Sequence, residues 1–546
     1  MAKNNMKNNK KALLTVIRNG EETSKKFPVG SNLLNCLYKM GFYEVANTCG
    51  GRGTCRRCIV KTENFGDVIS CQTRIDENIT VHLAEKVVSL ERDDTLKIQS
   101  DFLHNVAEVE QNLARITSST NLGIAIDIGT TTIVMALVNA DTGDWLGEEK
   151  ARNKQNGYGA DVISRIDFSN KNGVEVLSEV MQSQLNSMID NSLGDLKLEK
   201  QQISVCSIAG NTVMEHFLTS LSPKTIGVAP FNPLSHFGKI VSPQDIRLNL
   251  DPETKIYIFP AIAGYVGGDI TAGIISSGMY KSDKLNCLLD IGTNGEMVLG
   301  SSSNMVSCAT AAGPAFEGAE IEQGMLGIPG AVDMVSYHPK SSDRPIRFTT
   351  IEDKTPQGFC GSGLLDMLAV GVRSGLIQDS GLISDRDEVA ENLKQYLAEV
   401  NEQKVILIDK ENQIYLTQKD IRKLQTAKGA IAAGLKTLLE SENVNNREID
   451  TFYLAGGFGS AINVKSLADI GMIPEIFVNK TKVLGNASLT GATMVLTSMT
   501  QKAPNQDSKQ QLNYLENIRD ICKYIELSTD ENFTDNYIDS MFFTEF

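Results

Sequence analysis

A short apolar run at residues 12–18 meets the turn pair Asn19-Gly20 and then the segment 21–27, a pattern that predicts a β-hairpin. Ser31 stands where it can cap a short helix carrying Leu33, Leu34, Leu37 and Met40. Ile59 and Val60, and later residues 79–83, predict further strands. From 87 to 121 the chain is charged with weak helical periodicity, which reads as a partly helical linker. Beyond it an apolar strand ending in Asp127 runs into Gly129-Thr130-Thr131-Thr132. The same order returns as Leu288-Leu-Asp290-Ile-Gly292-Thr293-Asn294-Gly295-Glu296. Each copy predicts a strand, a tight Gly-Thr turn and a second strand, at 133–138 or 297–300. Residues 203–207 predict a strand leading into Ile208-Ala-Gly-Asn211-Thr212, where a helix should start. Residues 452–455 predict another, leading into Gly456-Gly457-Phe458-Gly459-Ser460 and then a helix. Residues 485–492 begin a helix of small side chains able to pack closely on a counterpart. The last stretch, 512–546, predicts a docked helix and a final strand, with a partner-facing tail as the alternative.

Length and composition bound what these elements build. A chain of 546 residues that is 41% hydrophobic has room for a small domain and a large two-lobed one. The expected division is 1–86, a linker at 87–121, lobes at 122–281 and 282–500, and an extension at 501–546. A formal net charge of -15 argues against nucleic acid as a partner. No apolar run approaches the ~18 residues of a membrane span. Residues 1–11 are a polar Lys/Asn tail with no apolar segment behind it, so the expected location is the cytoplasm. The 10 cysteines suit a reducing compartment, where Cys36, Cys206, Cys287, Cys308, Cys360 and Cys522 can stay buried as small hydrophobes.

The other four cysteines fall together. Cys49, Cys55, Cys58 and Cys71 have a spacing close to that of a plant-type [2Fe-2S] loop, and Gly50, Gly51 and Gly53 let the backbone wrap so that N–H groups point at the sulfurs. The loop has five residues between its first two cysteines where the plant type has four, and Cys71 is the ligand least fixed by spacing. Zinc or reduced structural thiols are the competing readings, although zinc favours paired C-x2-C arms. With the surrounding hairpin, helix and strands, the first 86 residues resemble the α+β β-grasp fold of [2Fe-2S] ferredoxins.

The repeated hairpins carry a second chemistry. Backbone N–H groups at Gly129 and Gly292 can approach phosphate oxygens, Thr130, Thr131, Thr293 and Asn294 can add hydrogen bonds, and Asp127 and Asp290 can hold Mg2+ through water. Two copies imply two pseudo-symmetric lobes clamping one ATP. Asn211 lies at the expected lobe-connecting helix, and Gly456, Gly457 and Ser460 suit adenine and ribose. The five segments in this order look like the signatures of the acetate kinase, sugar kinase, heat-shock chaperone and actin superfamily, a two-lobed α/β actin-like (ribonuclease H-like) ATPase. In sugar kinases of that superfamily a segment like Tyr265-Val-Gly267-Gly268-Asp269 carries the catalytic base. Asp269 is thus a candidate to orient the attacking water, with a helix N-cap as the bland alternative. Glu296 reads either as a group near the magnesium or as a solvated turn residue.

A ferredoxin ahead of this ATPase resembles the ATP-dependent reductive activators of corrinoid proteins. The likeness includes Ala311-Ala-Gly-Pro-Ala-Phe-Glu-Gly318, Cys360-Gly-Ser-Gly363 and Ser540-Met-Phe-Phe543. It implies one-electron return of inactive Co(II) to Co(I) in a corrinoid methyltransferase system. A plant-type cluster sits near about -400 mV, and each ~59 mV uphill costs about 1.4 kcal/mol, so ATP is implied as the driver. The implied cofactors are a [2Fe-2S] cluster, ATP and Mg2+. The implied partners are a corrinoid protein and an external low-potential electron donor, with a homodimer left open. Residues 307–318 could approach a flat corrinoid, Ser307 or Thr310 nearest cobalt, or could be internal packing. A small-molecule kinase with a redox-sensing cluster and a nucleotide-gated scaffold are the rival functions.

Overall fold

The computed structural model describes residues 11–18, 21–40, 42, 45, 58–63, 65–83, 95–96, 121–456, 462–500 and 512–546. Its contacts divide the chain into two compact units: Met1–Cys206 with Val213–Ser235 and Ile240–Tyr257, and Ser207–Thr212 with His236–Lys239 and Ile258–Phe546.

In the first unit, the strands near the N-terminus form a mixed sheet in the order Glu21–Pro28, Lys11–Arg18, Ile79–Leu83, Ile59–Thr62, Gly66–Ile69. Lys11–Arg18 pairs antiparallel with Glu21–Pro28, and the register Arg18↔Glu21 leaves the two residues Asn19-Gly20 to connect them. Lys11–Arg18 runs parallel to Ile79–Leu83, the central pairing that a β-grasp sheet needs. Leu14, Val16 and Val81 from the sheet, and Leu33, Leu34 and Leu37 from helix Leu33–Tyr38, are all buried. The cap of that helix is Asn32, whose side chain accepts from the Asn35 N–H at 3.2 Å. Ser31, the expected cap, donates its hydroxyl to the Pro28 carbonyl at 2.6 Å, and the helix stops before Met40.

A second sheet has the order Phe237–Val241, Lys255–Pro260, Ile203–Gly210, Leu122–Ile128, Thr132–Asn139, Trp145–Arg152, Thr95–Leu96 among the described residues. Thr95–Leu96 is an edge strand against Lys150 and Ala151. Apart from it and Asn121, the expected linker lies outside the described residues. Strand Ile203–Gly210 leads into helix Thr212–Leu218, as its sequence predicts.

The second unit is built on a six-stranded sheet in the order Thr481–Gly485, Thr451–Ala455, Asn286–Ile291, Gly295–Gly300, Met305–Thr310, Cys522–Tyr524. Helix Gly361–Ser374, with Cys360 at its N-cap, and helix Gln418–Ser441 share its apolar core. Helix Ala487–Thr500 packs on helix Gly268–Ser277 so closely that a Cβ on Gly491 would collide with the Ala272 carbonyl oxygen. No helix among the described residues is long and apolar enough to cross a membrane.

The C-terminal stretch docks on this unit. Helix Asn513–Ile521 precedes strand Cys522–Tyr524, which pairs parallel with Met305–Ser307. That strand is not the last element, because helix Phe533–Asp539 follows and lies along helix Gln418–Ser441. Lys428, 1% exposed, donates to the carbonyls of Ser540 and Phe542, each at 2.8 Å. Burial, then the charge of Lys436, lowers the Lys428 ammonium from 10.5 to about 7. A base lowered on folding binds fewer protons in the native state than in the unfolded chain between those two values, so its penalty is relieved as pH rises through that window. The protein should therefore gain stability from pH 7 to 9, by at most about 1.4 kcal/mol per pH unit from this group. Lys428→Met should remove that gain and leave two carbonyls without their donor, a loss of about 1–3 kcal/mol. Thermal melts of both proteins at the two pH values check this; parallel pH slopes would refute it.

Candidate functional site

The second hairpin forms because Asn286–Ile291 and Gly295–Gly300 pair in the register Ile291↔Gly295 and Asp290↔Glu296, closed by the Gly292 N–H to the Asn294 carbonyl at 2.9 Å. The first forms by pairing Ile128 with Ile133 and Asp127 with Val134, closed by the Gly129 N–H to the Thr132 carbonyl at 3.0 Å. Both aspartates are half-buried one residue before the strand end. The copies differ in what faces the aspartate: an apolar Val134 in one, a carboxyl in the other.

Around Asp290 the second unit gathers most of the predicted residues. Thr451–Ala455 runs parallel to its strand with Ala455 opposite Asp290. Gly456, at φ +124, follows so tightly that a Cβ would collide with the Ile291 carbonyl oxygen, which explains why this position is glycine. Gly457 and Ser460 lie outside the described residues. Gly267 is the N-cap of helix Gly268–Ser277, and a Cβ on it would lie 2.5 Å from the Gly210 carbonyl oxygen. This close approach brings Asn211 and Thr212 beside the start of that helix. Asn211 is buried, and Thr212 donates to the Ala263 carbonyl at 2.7 Å.

Asp269 is not the N-cap. It sits in the first turn, where its Oδ1 accepts from the Ile270 N–H at 2.9 Å and a negative charge is favoured by the helix dipole. Glu296 is 7% exposed within a strand, so it is not a solvated turn residue. Burial first, then the carboxylates of Asp269 and Asp290, pushes its carboxyl well above the usual carboxylate range. The three acids thus share one neighbourhood, close enough for their charges to repel. Thr293 donates its hydroxyl to Glu317 at 2.7 Å, so the Thr293 proton points at a carboxylate in this structure; sequence reasoning did not connect Glu317 with the hairpin. Among the described residues no three His, Cys, Asp or Glu side chains are arranged to hold a metal directly.

Ser307 and Thr310 are interior. Ser307 donates to the Lys523 carbonyl at 3.3 Å and Thr310 to the Gly295 carbonyl at 3.1 Å, and both are buried in the sheet. Of their two sequence readings, internal packing is the one this structure displays.

In the ferredoxin-like part, Cys58 and Cys71 are buried free thiols. The pairing of Ile59 with Ile69 sets Ser70, the neighbour of Cys71, against Cys58, and Ser70 donates both its N–H (3.0 Å) and its hydroxyl (2.7 Å) to the Cys58 carbonyl. Asn32 donates to the Cys71 carbonyl at 2.8 Å, and the Gln72 amide lies 3.6 Å from the Cys71 sulfur. Two buried, reduced thiols on a fixed frame fit the thiolate donor set of an iron–sulfur cofactor. Cys49 and Cys55 lie outside the described residues.

A β-grasp sheet with two buried thiols, followed by two aspartate hairpins and the glycine-ended strand beside the second, defines a ferredoxin-like domain joined to an ATPase of the acetate kinase, sugar kinase, heat-shock and actin (ASKHA) class. The model for the C-terminal ASKHA domain of RACo matches residues 284–546, and that for the RACo middle region matches residues 122–282. The chain belongs to the RACo family. The corrinoid activation enzyme RamQ of Eubacterium limosum is 28% identical over 570 residues, covering 90% of this chain and 92% of the relative. The [Co(II) methylated amine-specific corrinoid protein] reductase of Methanosarcina barkeri is 24% identical over 398 residues, 67% of this chain and 68% of that protein. A solved structure, a reductive activator for corrinoid, iron-sulfur protein, superposes with a TM-score of 0.68 at 29% identity, covering 97% of this chain and 98% of that one. Separately, a component of the Na(+)-translocating NADH-quinone reductase from Haemophilus influenzae (strain PittEE) is 29% identical over 104 residues, 16% of this chain and 25% of the relative.

Proposed function

We propose that this protein returns an inactive Co(II) corrinoid protein to Co(I) in an ATP-dependent reaction, in support of a corrinoid-dependent methyltransferase system. The observation that carries this reading is the presence, on one chain, of a thiol-bearing β-grasp sheet and an ASKHA ATPase, in a chain similar over nearly its whole length to a reductive activator. Cys49, Cys55, Cys58 and Cys71 hold a [2Fe-2S] cluster in domain 1–86, and the cluster when bound supplies one electron at a time. Asp127 and Asp290 hold Mg2+ of ATP through water, while Gly129, Thr130, Thr131, Gly292, Thr293 and Asn294 receive phosphate. Thr293 must turn from Glu317 to do so. Asn211 lies at the start of the helix beside Asp269, and Gly456, Gly457 and Ser460 receive the adenosine. Asp269 orients the attacking water. The remaining domain ranges are a linker at 87–121, lobes at 122–281 and 282–500, and an extension at 501–546. An external low-potential donor reloads the cluster, and the eight described cysteines, all free, suit a reducing cytoplasm.

Reduction against a potential gap needs a coupled source of free energy, because each ~59 mV uphill lowers the equilibrium tenfold for one electron. Reduced protein, Mg-ATP and a Co(II) corrinoid protein mixed anaerobically should yield the visible spectrum of Co(I), with ATP turnover rising on addition of the partner. Equally fast Co(I) formation without nucleotide would sink the coupling. Phosphorylation of a small metabolite in its place would favour a kinase.

A further inference from the structure

The first hairpin is held from behind. All three carbonyls of its turn accept hydrogen bonds from one polar segment that follows strand Trp145–Arg152. Asn153 Nδ2 donates to the Gly129 carbonyl at 3.0 Å, Arg165 Nη2 to the Thr130 carbonyl at 2.5 Å, and Asn156 Nδ2 to the Thr131 carbonyl at 3.1 Å. The Asn153 N–H adds a second bond to the Thr131 carbonyl at 2.8 Å. The holders are themselves fixed. Arg165 also donates to the Asn156 side-chain oxygen, to the Gly159 carbonyl at 3.0 Å and to Gln155 Oε1 at 3.4 Å, while Asn153 Oδ1 accepts from the Gln155 N–H at 3.0 Å. Asn153, Gln155 and Arg165 are each 0% exposed.

A trans peptide points its N–H opposite to its C=O. Capturing the carbonyls of Gly129 and Thr130 therefore turns the N–H groups of Thr130 and Thr131 away from the holders, in the sense that an anion-binding nest requires. Arg165 adds a buried positive charge one peptide behind the turn, where low dielectric strengthens its field. A buried arginine spent on backbone carbonyls is otherwise hard to rationalise, since desolvating a guanidinium is expensive unless its donors are satisfied and its position matters.

We propose that Asn153, Asn156 and Arg165 are positioning residues that fix the peptide polarity of the Gly129–Thr131 turn and thereby set affinity for the polyphosphate of ATP. This rests on the reading of that hairpin as a phosphate-binding element. The three residues touch the turn's backbone and act through it.

The test uses the full-length protein with its cluster. Asn156→Ala is the primary variant because it removes the side-chain oxygen that anchors Arg165 on the Thr130 carbonyl, at a partly buried site where the fold should survive the loss; Arg165→Met, at a fully buried site, is the second. The readouts are KM for Mg-ATP, kcat for hydrolysis, and the melting temperature. Asn156→Ala should raise KM about 10-fold with kcat changed less than 3-fold and the melting temperature near that of the parent, the split expected when ground-state and transition-state binding are lost together. Arg165→Met, if folded, should raise KM further. A folded Asn156→Ala protein with the parent's KM would overturn the proposal, as would equal losses in kcat and kcat/KM. Asp127→Ala, measured alongside, separates the two levels: normal ATP affinity there defeats the hairpin reading itself, whereas impaired affinity there with a normal Asn156→Ala defeats only the positioning role.

Discussion

Asp290→Ala is expected to lower ATP turnover by about 100-fold or more while leaving the visible spectrum of the ferredoxin-like domain unchanged. The magnitude is that of removing a group that orients a metal's water shell or stabilises charge in a transition state. Asp290 stands opposite Glu296 and beside Ala455 at the end of a sheet strand whose other positions are buried, so its backbone is fixed by pairing on both sides. Alanine there keeps the strand and removes only the carboxylate. The change also withdraws one of the two charges that raise the Glu296 carboxyl, which should move the pH dependence of any residual turnover toward lower pH. Asp127→Ala should be comparably severe. Asp269→Asn distinguishes two roles for its carboxylate: a strong loss of kcat fits a group that orients water, and a mild one fits a residue serving the first turn of its helix. Normal hydrolysis by both Asp127→Ala and Asp290→Ala would remove the hairpins from the nucleotide site.

Replacing Cys58 by alanine should have the opposite signature. Co(I) formation should fall to background, and basal ATP hydrolysis should persist, because the thiol belongs to the β-grasp sheet while the acids belong to the ATPase. Cys58 is 0% exposed, with its carbonyl held twice by Ser70, so the substitution removes the thiol proposed as a cluster ligand from a backbone fixed by hydrogen bonds. Iron and sulfide content, the visible spectrum and Co(I) yield are the measurements. Cys71→Ala tests the ligand whose spacing departs most from the plant type. An unaltered cluster in that variant would take Cys71 out of the ligand set, and zinc in the purified protein would end the iron–sulfur reading.

Local pattern carried the elements and the chemistry. Hairpin registers follow from turn residues and apolar runs, so the strands at 11–18 and 21–28, the paired aspartate hairpins and the helix after strand 203–210 were all legible in the chain. The cap at Asn32 was not, because Ser31 and Asn32 are both good caps and the choice fell to a third partner, the Pro28 carbonyl that took the serine hydroxyl. Ser307 and Thr310 were ambiguous for a similar reason. A small polar residue in a glycine-rich stretch looks available until a neighbouring strand claims its hydroxyl.

The sequence by itself determined that this protein pairs a cysteine loop with an ATPase, since both depend on residue types at short, fixed spacing that any folded backbone must present together. Only the tertiary structure decided which residues serve those motifs from afar. Glu296 becomes a buried acid because strand register sets it against Asp290 while a helix start brings Asp269 near. Lys428 loses basicity through burial beneath a C-terminal segment more than a hundred residues away. Asn153, Asn156 and Arg165 hold the first hairpin through its carbonyls, which every residue possesses and no motif can mark. Hydrogen bonds to the backbone leave no trace in residue identity at the accepting end, so their targets become visible only when the chain has folded.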